Sequence, residues 1–137
     1  MARVRYEVAR DVCKAVKAIL ESGVFEHIPS DKIYCVRSRG SRSTAIARIY
    51  GLPRAWIVAL GSMPGYVIEV ISERYDALPP ERKLEVLVHE LLHIPKTFSG
   101  GLRPHGRLVN DSAVRRVLRQ LRRAGALERV LRLLEEP

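Results

Sequence analysis

Side-chain amides are almost missing from this chain. Asn110 and Gln120 are the only two among 137 residues, set against abundant arginine, a balance that leans towards a heat-adapted source. Cysteine is scarce as well: Cys13 and Cys35 lack CxxC spacing, which excludes a zinc-finger framework and leaves either one bridge or two buried free thiols. Long apolar runs are absent, so no segment reaches membrane-spanning length, and the N-terminus interleaves charge with valine where a signal peptide would carry an apolar block. Repeats and low-complexity tracts are absent too. The expectation is a cytoplasmic chain without a membrane partner, folded as a single domain over residues 1–137. At 15.5 kDa it has room for a real hydrophobic core but is small for a protease with separate substrate lobes.

Acidic residues are outnumbered. Lys and Arg total 24 against 15 Asp and Glu, giving a net charge of +9 and a pI near 10.2, so phosphates and anionic surfaces attract the chain nonspecifically. Arg37, Arg39, Arg42 and Arg48 gather in one segment, while Arg115, Arg116, Arg119, Arg122, Arg123, Arg129 and Arg132 stud the last helix. Two readings stay open: a surface for nucleic acid or an acidic partner, or the solvated polar face of an arginine-rich protein. Interleaved aromatics and recognition motifs of the RNP or KH kind are missing.

What is present reads as an α+β chain. Val4, Val8, Val12, Val16, Ile19 and Leu20 form the stripe of an amphipathic helix over residues 3–22, ending at Ser22-Gly23. KIYCVRS, from Lys32, alternates as a strand, and RGSRSTAIARIYGLP is ambiguous. RAWIVALG and YVIEVIS read as two strands paired in a hairpin across SMPG, whose Pro64-Gly65 favours a turn. Pro79-Pro80 suits a helix entrance. From there PERKLEVLVHELLHI places Leu84, Leu87, Val88, Leu91 and Leu92 on one face and Arg82, Val86, His89 and His93 on the other, and Pro95 stops the helix just after His93. A last helix runs from Ser112 to Glu136, with Gly125 its weak point. The sheet is expected to be small, twisted and mainly antiparallel.

Residues 89–93, HELLH, carry the most chemical information. Four residues is close to one helical turn, so His89 and His93 project from one face and can share a metal ion, with Glu90 beside them to take a proton from water. The helix leads into KTFSGGLRPHGRLVND, where Ser99-Gly100-Gly101 allows a reversal and Pro104-His105-Gly106 presents a third histidine. The intervening chain spans up to about 40 Å when extended, so His105 reaches the first two easily. Three histidines with an open fourth position describe a catalytic zinc site, since a structural site closes with a fourth protein ligand, usually thiolate.

The expected chemistry is peptide hydrolysis by metal-activated water, with Glu90 as general base and then as acid towards the leaving amine. Arg103, two residues before His105, is the nearest donor for a developing oxyanion, or binds a carboxylate or steadies the loop. The bland alternative is a core histidine pair bonded to backbone carbonyls. His27 reads as a surface residue. Asp111 is an alternative oxygen ligand, although its place beside Ser112 better suits a helix N-terminus.

The stretch from YVIEVISERYDALPP through HELLHIP, FSGGLRPHG and Arg107 resembles the phage-type metallopeptidases, short zincin-like proteins of viruses and archaea, and the resemblance extends over roughly residues 45–110, including GLPRAW. It implies a minimal zincin-like fold, with His89, His93 and His105 as zinc ligands and Glu90 as catalytic acid/base. In zincins the strand before the active-site helix borders the cleft, so Tyr66 to Ser72 reads either as a substrate-binding edge or as an ordinary core strand. Glu69 within it orients a ligand histidine or a substrate amine, or faces solvent. The third histidine stands too far from the second for a metzincin, no methionine follows Met63, and no glutamate sits where a gluzincin needs one.

The leading expectation is therefore a zinc-dependent peptidase acting on peptide or protein, with nucleic acid as a further partner through the basic surface. That charge would ally it, by analogy alone, with SprT-like proteases that act on DNA-attached proteins. The alternatives are a metal-dependent ribonuclease of the YbeY type, and a nonenzymatic basic nucleic-acid-binding module with a structural metal.

Overall fold

In the computed structural model, residues 3–135 are described; the last residue of the expected C-terminal helix, Glu136, lies outside them. The elements run β1 (Arg5–Val8), α1 (Arg10–Glu21), a 3-10 turn (Ser30–Lys32), β2 (Ile33–Arg39), β3 (Ala47–Gly51), α2 (Arg54–Leu60), β4 (Tyr66–Ile71), α3 (Ser72–Tyr75), α4 (Pro80–Leu92), α5 (Asp111–Arg123) and α6 (Leu127–Glu135). The fold is α+β.

The expected first helix begins later than its valine spacing implied. Arg5–Val8 is a strand, paired antiparallel with β2 through Arg5↔Arg39 and Val8↔Val36. Val4 and Val8 suit a helical stripe and a strand alternation equally well, and the unpaired edge of β2 decides the matter by supplying backbone partners. From Val12 onward the stripe behaves as a helix, burying Val12, Ala15, Val16, Ala18, Ile19 and Leu20. Arg37 ties this region together, bonding Asp11 in bidentate fashion at 3.0 and 2.8 Å and Asp76 at 3.1 Å. Cys13 and Cys35 are free thiols, with Cys13 Sγ 3.8 Å from Cys35 O.

The four strands form one mixed sheet in the order β1-β2-β4-β3. β2 and β4 run parallel, while β1–β2 and β3–β4 are antiparallel. The anticipated hairpin of RAWIVALG with YVIEVIS does not form. Arg54–Leu60 is the helix α2, entered at Pro53 and closed by Gly61 at φ +60°, and it buries none of its residues. Only Ile57 is half-buried, against the loop at Gly100, and a run with no buried stripe shows no periodic contrast, so its helical character was hidden in sequence. The strand pairing with β4 comes instead from the ambiguous stretch, at Ala47–Gly51.

Helices cover one face of the sheet. Ile33, Cys35, Ile49, Tyr66, Ile68 and Val70 on that face join a single apolar core with α1, α4, α5 and α6. α4 is the central element, starting with Pro80 in its first turn as expected. Leu84, Leu87 and Leu91 are fully buried, each contributing about 1.5–3 kcal/mol of transfer free energy. Val86, placed on the polar side from sequence, is buried too, while Leu92 is only half-buried. The single C-terminal helix expected over 112–136 is two helices, broken at Gly125 with φ +73°. The break lets α6 fold back so that Val130 and Leu134 join the core beside Val114, Val117 and Leu121. Among the described residues, no helix is long and apolar enough to cross a membrane.

Candidate metal centre

α4 ends at its C-cap His93, whose N–H donates to Glu90 O at 3.1 Å, while Ile94 N–H donates to Leu91 O at 3.1 Å. One turn of helix separates His93 from His89, and their ring centroids lie 5.2 Å apart. The chain then turns at Pro95 and returns past the helix end, where Arg103 N donates to His93 O at 2.6 Å. This return brings His105 over the pair, its ring centroid 5.0 Å from His89 and 4.7 Å from His93. One ring nitrogen from each of the three histidines lies within 4.8 Å of the others, and His89 Nε2 is 2.9 Å from His105 Nε2.

Tautomer assignment follows from the partners. His93 Nδ1 lies 2.6 Å from Arg103 O, and a carbonyl only accepts, so Nδ1 carries the proton and Nε2 keeps its lone pair. Burial pushes the His89 pKa down, and the neighbouring His93 and His105 rings push it the same way. A lone pair is thus held ready at His89 as well. Three imidazoles converging without a thiolate or carboxylate in the group fit a borderline transition ion such as zinc, and fit magnesium or calcium poorly.

Glu90 stands beside the triad, buried at 8% exposure, and burial pushes its carboxyl up to about 7. A carboxyl of that kind suits proton exchange with water near neutral pH. The histidines and Glu90 open on a cleft of about 930 Å³, whose walls include Thr44 to Ile49, Arg82, Arg103, Asp111 and Arg115.

The structure brings His89, Glu90, His93, Arg103 and His105 together. Arg103 contributes two main-chain bonds to His93 and lines the cleft. Asp111 also lines it, in the first turn of α5, but falls outside the histidine group; Asn110 is the N-cap, accepting from Ala113 N at 2.8 Å. His27 is away from the cluster, half-buried, with its Nε2 donating to Ile94 O at 3.0 Å. Glu69 neither orients a histidine nor faces solvent: it is 1% exposed and accepts from Tyr50 Oη at 2.5 Å, with Arg48 Nε at 3.7 Å. Tyr66–Ile71 is no edge either, since β2 and β3 flank it on both sides; the edge that borders the cleft is β3.

Sequence reasoning missed two supports. Tyr66 Oη accepts from Gly100 N at 2.9 Å and donates to Gly101 O at 2.8 Å, pinning the loop that carries His105. Gly51 lets that loop lie against the end of β3, because a side chain there would overlap Gly100 O. A lone tyrosine and a lone glycine carry no pattern, so only the fold reveals either role.

Comparison with curated proteins and with solved structures returns no match for this chain. The family model described as "Putative phage metallopeptidase" matches residues 4–135, a span that takes in every element and the whole histidine cluster. A metal-dependent peptidase is what that family's description and the three convergent imidazoles jointly suggest, and on this span the chain belongs to the phage metallopeptidase family.

Proposed function

We propose that the chain is a zinc-dependent peptidase, with His89, His93 and His105 holding the ion and Glu90 as the catalytic acid/base. The carrying observation is the convergence of three ring nitrogens within 4.8 Å beside a buried carboxyl on an open cleft. A zinc ion bound there would supply Lewis acidity, lowering the pKa of water to about 7 and polarising the scissile carbonyl.

The chain's own residues do the rest. Glu90 takes the proton from the attacking water and returns it to the leaving amine. Arg103 O holds the His93 Nδ1–H, which would leave Nε2 free to ligate the ion. Arg103 stands along the cleft wall, where its guanidinium serves as a donor to the developing oxyanion. An extended substrate adds to β3, which pairs with β4 on one side only and lines the cleft from Ala47 to Ile49.

Purified protein and Glu90→Gln, each loaded with zinc, test the reading against an unfolded protein substrate. Glu90→Gln should retain stoichiometric zinc by elemental analysis and lose hydrolysis by about 10²–10⁴-fold. Equal turnover in parent and variant, or zinc content indifferent to His105→Ala, refutes it. Release of nucleotides from RNA with no peptide cleavage would point instead to the ribonuclease alternative.

A further inference from the structure

Helices cover only one face of the sheet. The alternate residues point the other way, and pairing register arranges them in three rows. Tyr34, Val67 and Tyr50 lie side by side across β2, β4 and β3; Val8, Val36, Glu69 and Arg48 form the next row; Tyr6, Ser38 and Ile71 form the third, in which Ser38 and Ile71 are buried and Tyr6 is exposed. Tyr6, Val8, Tyr34, Val36, Val67 and Tyr50 all stand outside the apolar core. Tyr6 is 63% exposed, Tyr34 55%, Tyr50 44% and Val8 67%.

Exposed aromatic rings gathered on one sheet face mark a binding surface. Charge selects the occupant. The one strand carboxylate on this face, Glu69, is buried and engaged by Tyr50 and Arg48, and the exposed Glu73 beside the end of β2 is engaged by Gly40 N at 2.9 Å. Arg48 remains 42% exposed in the middle row. Exposed Arg3 and Arg42 stand where β1 begins and β2 ends, with Arg3 O 3.3 Å from the Cβ position of Gly40. Rings on neighbouring strands are separated by multiples of about 4.8 Å, which leaves Tyr34 and Tyr50 about 10 Å apart with Val67 between them. That spacing accepts splayed, unstacked bases and not the closed stack of a duplex, whose base faces are hidden.

We propose that this open sheet face is a binding site for a single-stranded polynucleotide, with Tyr6, Tyr34 and Tyr50 as stacking platforms and Arg3, Arg42 and Arg48 as phosphate contacts. Recognition is by ring stacking and charge, without base-edge readout, so sequence preference is slight. The three tyrosines lie outside the lining of the metal cleft, which the site meets at Arg48, and stacking on them depends on neither zinc nor peptide hydrolysis.

Fluorescence anisotropy with a labelled oligothymidylate of about 20 nucleotides, at about 50 mM salt, tests this. The full chain should bind, oligouridylate should compete equally, and duplex of the same length should bind at least about tenfold more weakly. Tyr34→Ala should weaken binding by about fivefold or more, Tyr34→Phe should stay near the parent, and Arg119→Glu with Arg122→Glu should weaken it less than Tyr34→Ala does. Tyr34 is exposed, so its replacement leaves the fold intact. The proposal is overturned by failure to bind, by Tyr34→Ala binding like the parent, by equal affinity for duplex, or by binding that vanishes only in the α5 variant. It is equally overturned if sedimentation shows a dimer that Tyr34→Ala dissociates, because the face would then seat a second copy.

Discussion

Gly51 ends β3 against the loop that delivers His105, and adding one methyl group there should loosen the metal centre without touching a ligand. A Cβ at this position would overlap Gly100 O and lie 2.7 Å from Gly100 C, where ordinary contact begins at 3.4 Å. Gly100 has little room to yield: its φ is +95°, its own Cβ position is 2.5 Å from Leu52 O, and Tyr66 Oη holds its N–H. The loop must therefore move by roughly 0.7 Å to clear the Gly100 carbonyl carbon and by about 1.6 Å to clear its oxygen. Overpacking of this kind costs about 1–3 kcal/mol. Metal–ligand distances hold to within about 0.2 Å, so a third of that shift reaching His105 is enough to spoil its bond. Gly51→Ala should thus weaken zinc about 10–100-fold, the range for losing support around a ligand. Chelator-competition titration reads the affinity, and thermal unfolding of the metal-free protein reads the strain. A Gly51→Ala protein that takes up zinc as tightly as the parent and melts at the same temperature would show that this contact does not position the third histidine.

Zinc at about 100 times its Kd should add about 2.7 kcal/mol to the unfolding free energy, and His105→Ala should lose most of that gain; identical melting with zinc and with chelator would count against binding to the folded chain. Tyr50→Phe should destabilise by about 1–2 kcal/mol in urea, because it strips the short bond from the buried Glu69 carboxylate and leaves Arg48 at 3.7 Å as its remaining partner; an unchanged midpoint would refute that bond's importance. Burial pushes the Asp11 pKa up, but the Arg37 hydrogen bond and charge, with backbone donors, outweigh it and hold the carboxyl below its usual value. A depressed folded-state pKa contributes stability above the unfolded value, about 3.9, that is lost as pH falls through the folded one. Asp11→Asn should therefore be less stable than the parent at pH 7, with the gap narrowing as pH falls below about 3.9; a gap of constant size in urea midpoints through that fall would contradict the assignment.

The histidine helix was legible because several signals agree there: Pro79-Pro80 at the entrance, leucines at helical spacing, and Pro95 past the end. The structure gives Pro80–Leu92 with His93 as cap. Reach and glycine content led to His105, and the fold brings it to the pair. Other features depended on neighbours distant in sequence. Arg5–Val8 is a strand because β2 offers an edge, and Arg54–Leu60 is a helix without the buried stripe by which helices are recognised. β4 took the place expected of an edge strand and became the interior one, since β2 and β3 close on it from both sides. The three tyrosines of the open face escaped notice for the same reason. Each belongs to a different strand, and only register sets Tyr34 and Tyr50 on either side of Val67.

The insertion of β4 between β2 and β3 also fixes the order in which this protein can be made. A ribosome releases β2 and β3 first, yet in the finished sheet neither touches the other: β2 has β1 as an earlier partner, while β3 and the second edge of β2 wait for residues 66–71. Local hairpins cannot seed such a sheet, which favours slower assembly than a meander would allow. The segments bearing the first two histidines and the third emerge later still. A half-made chain thus carries no complete histidine cluster, which assembles only once residues 89–105 have joined the framework.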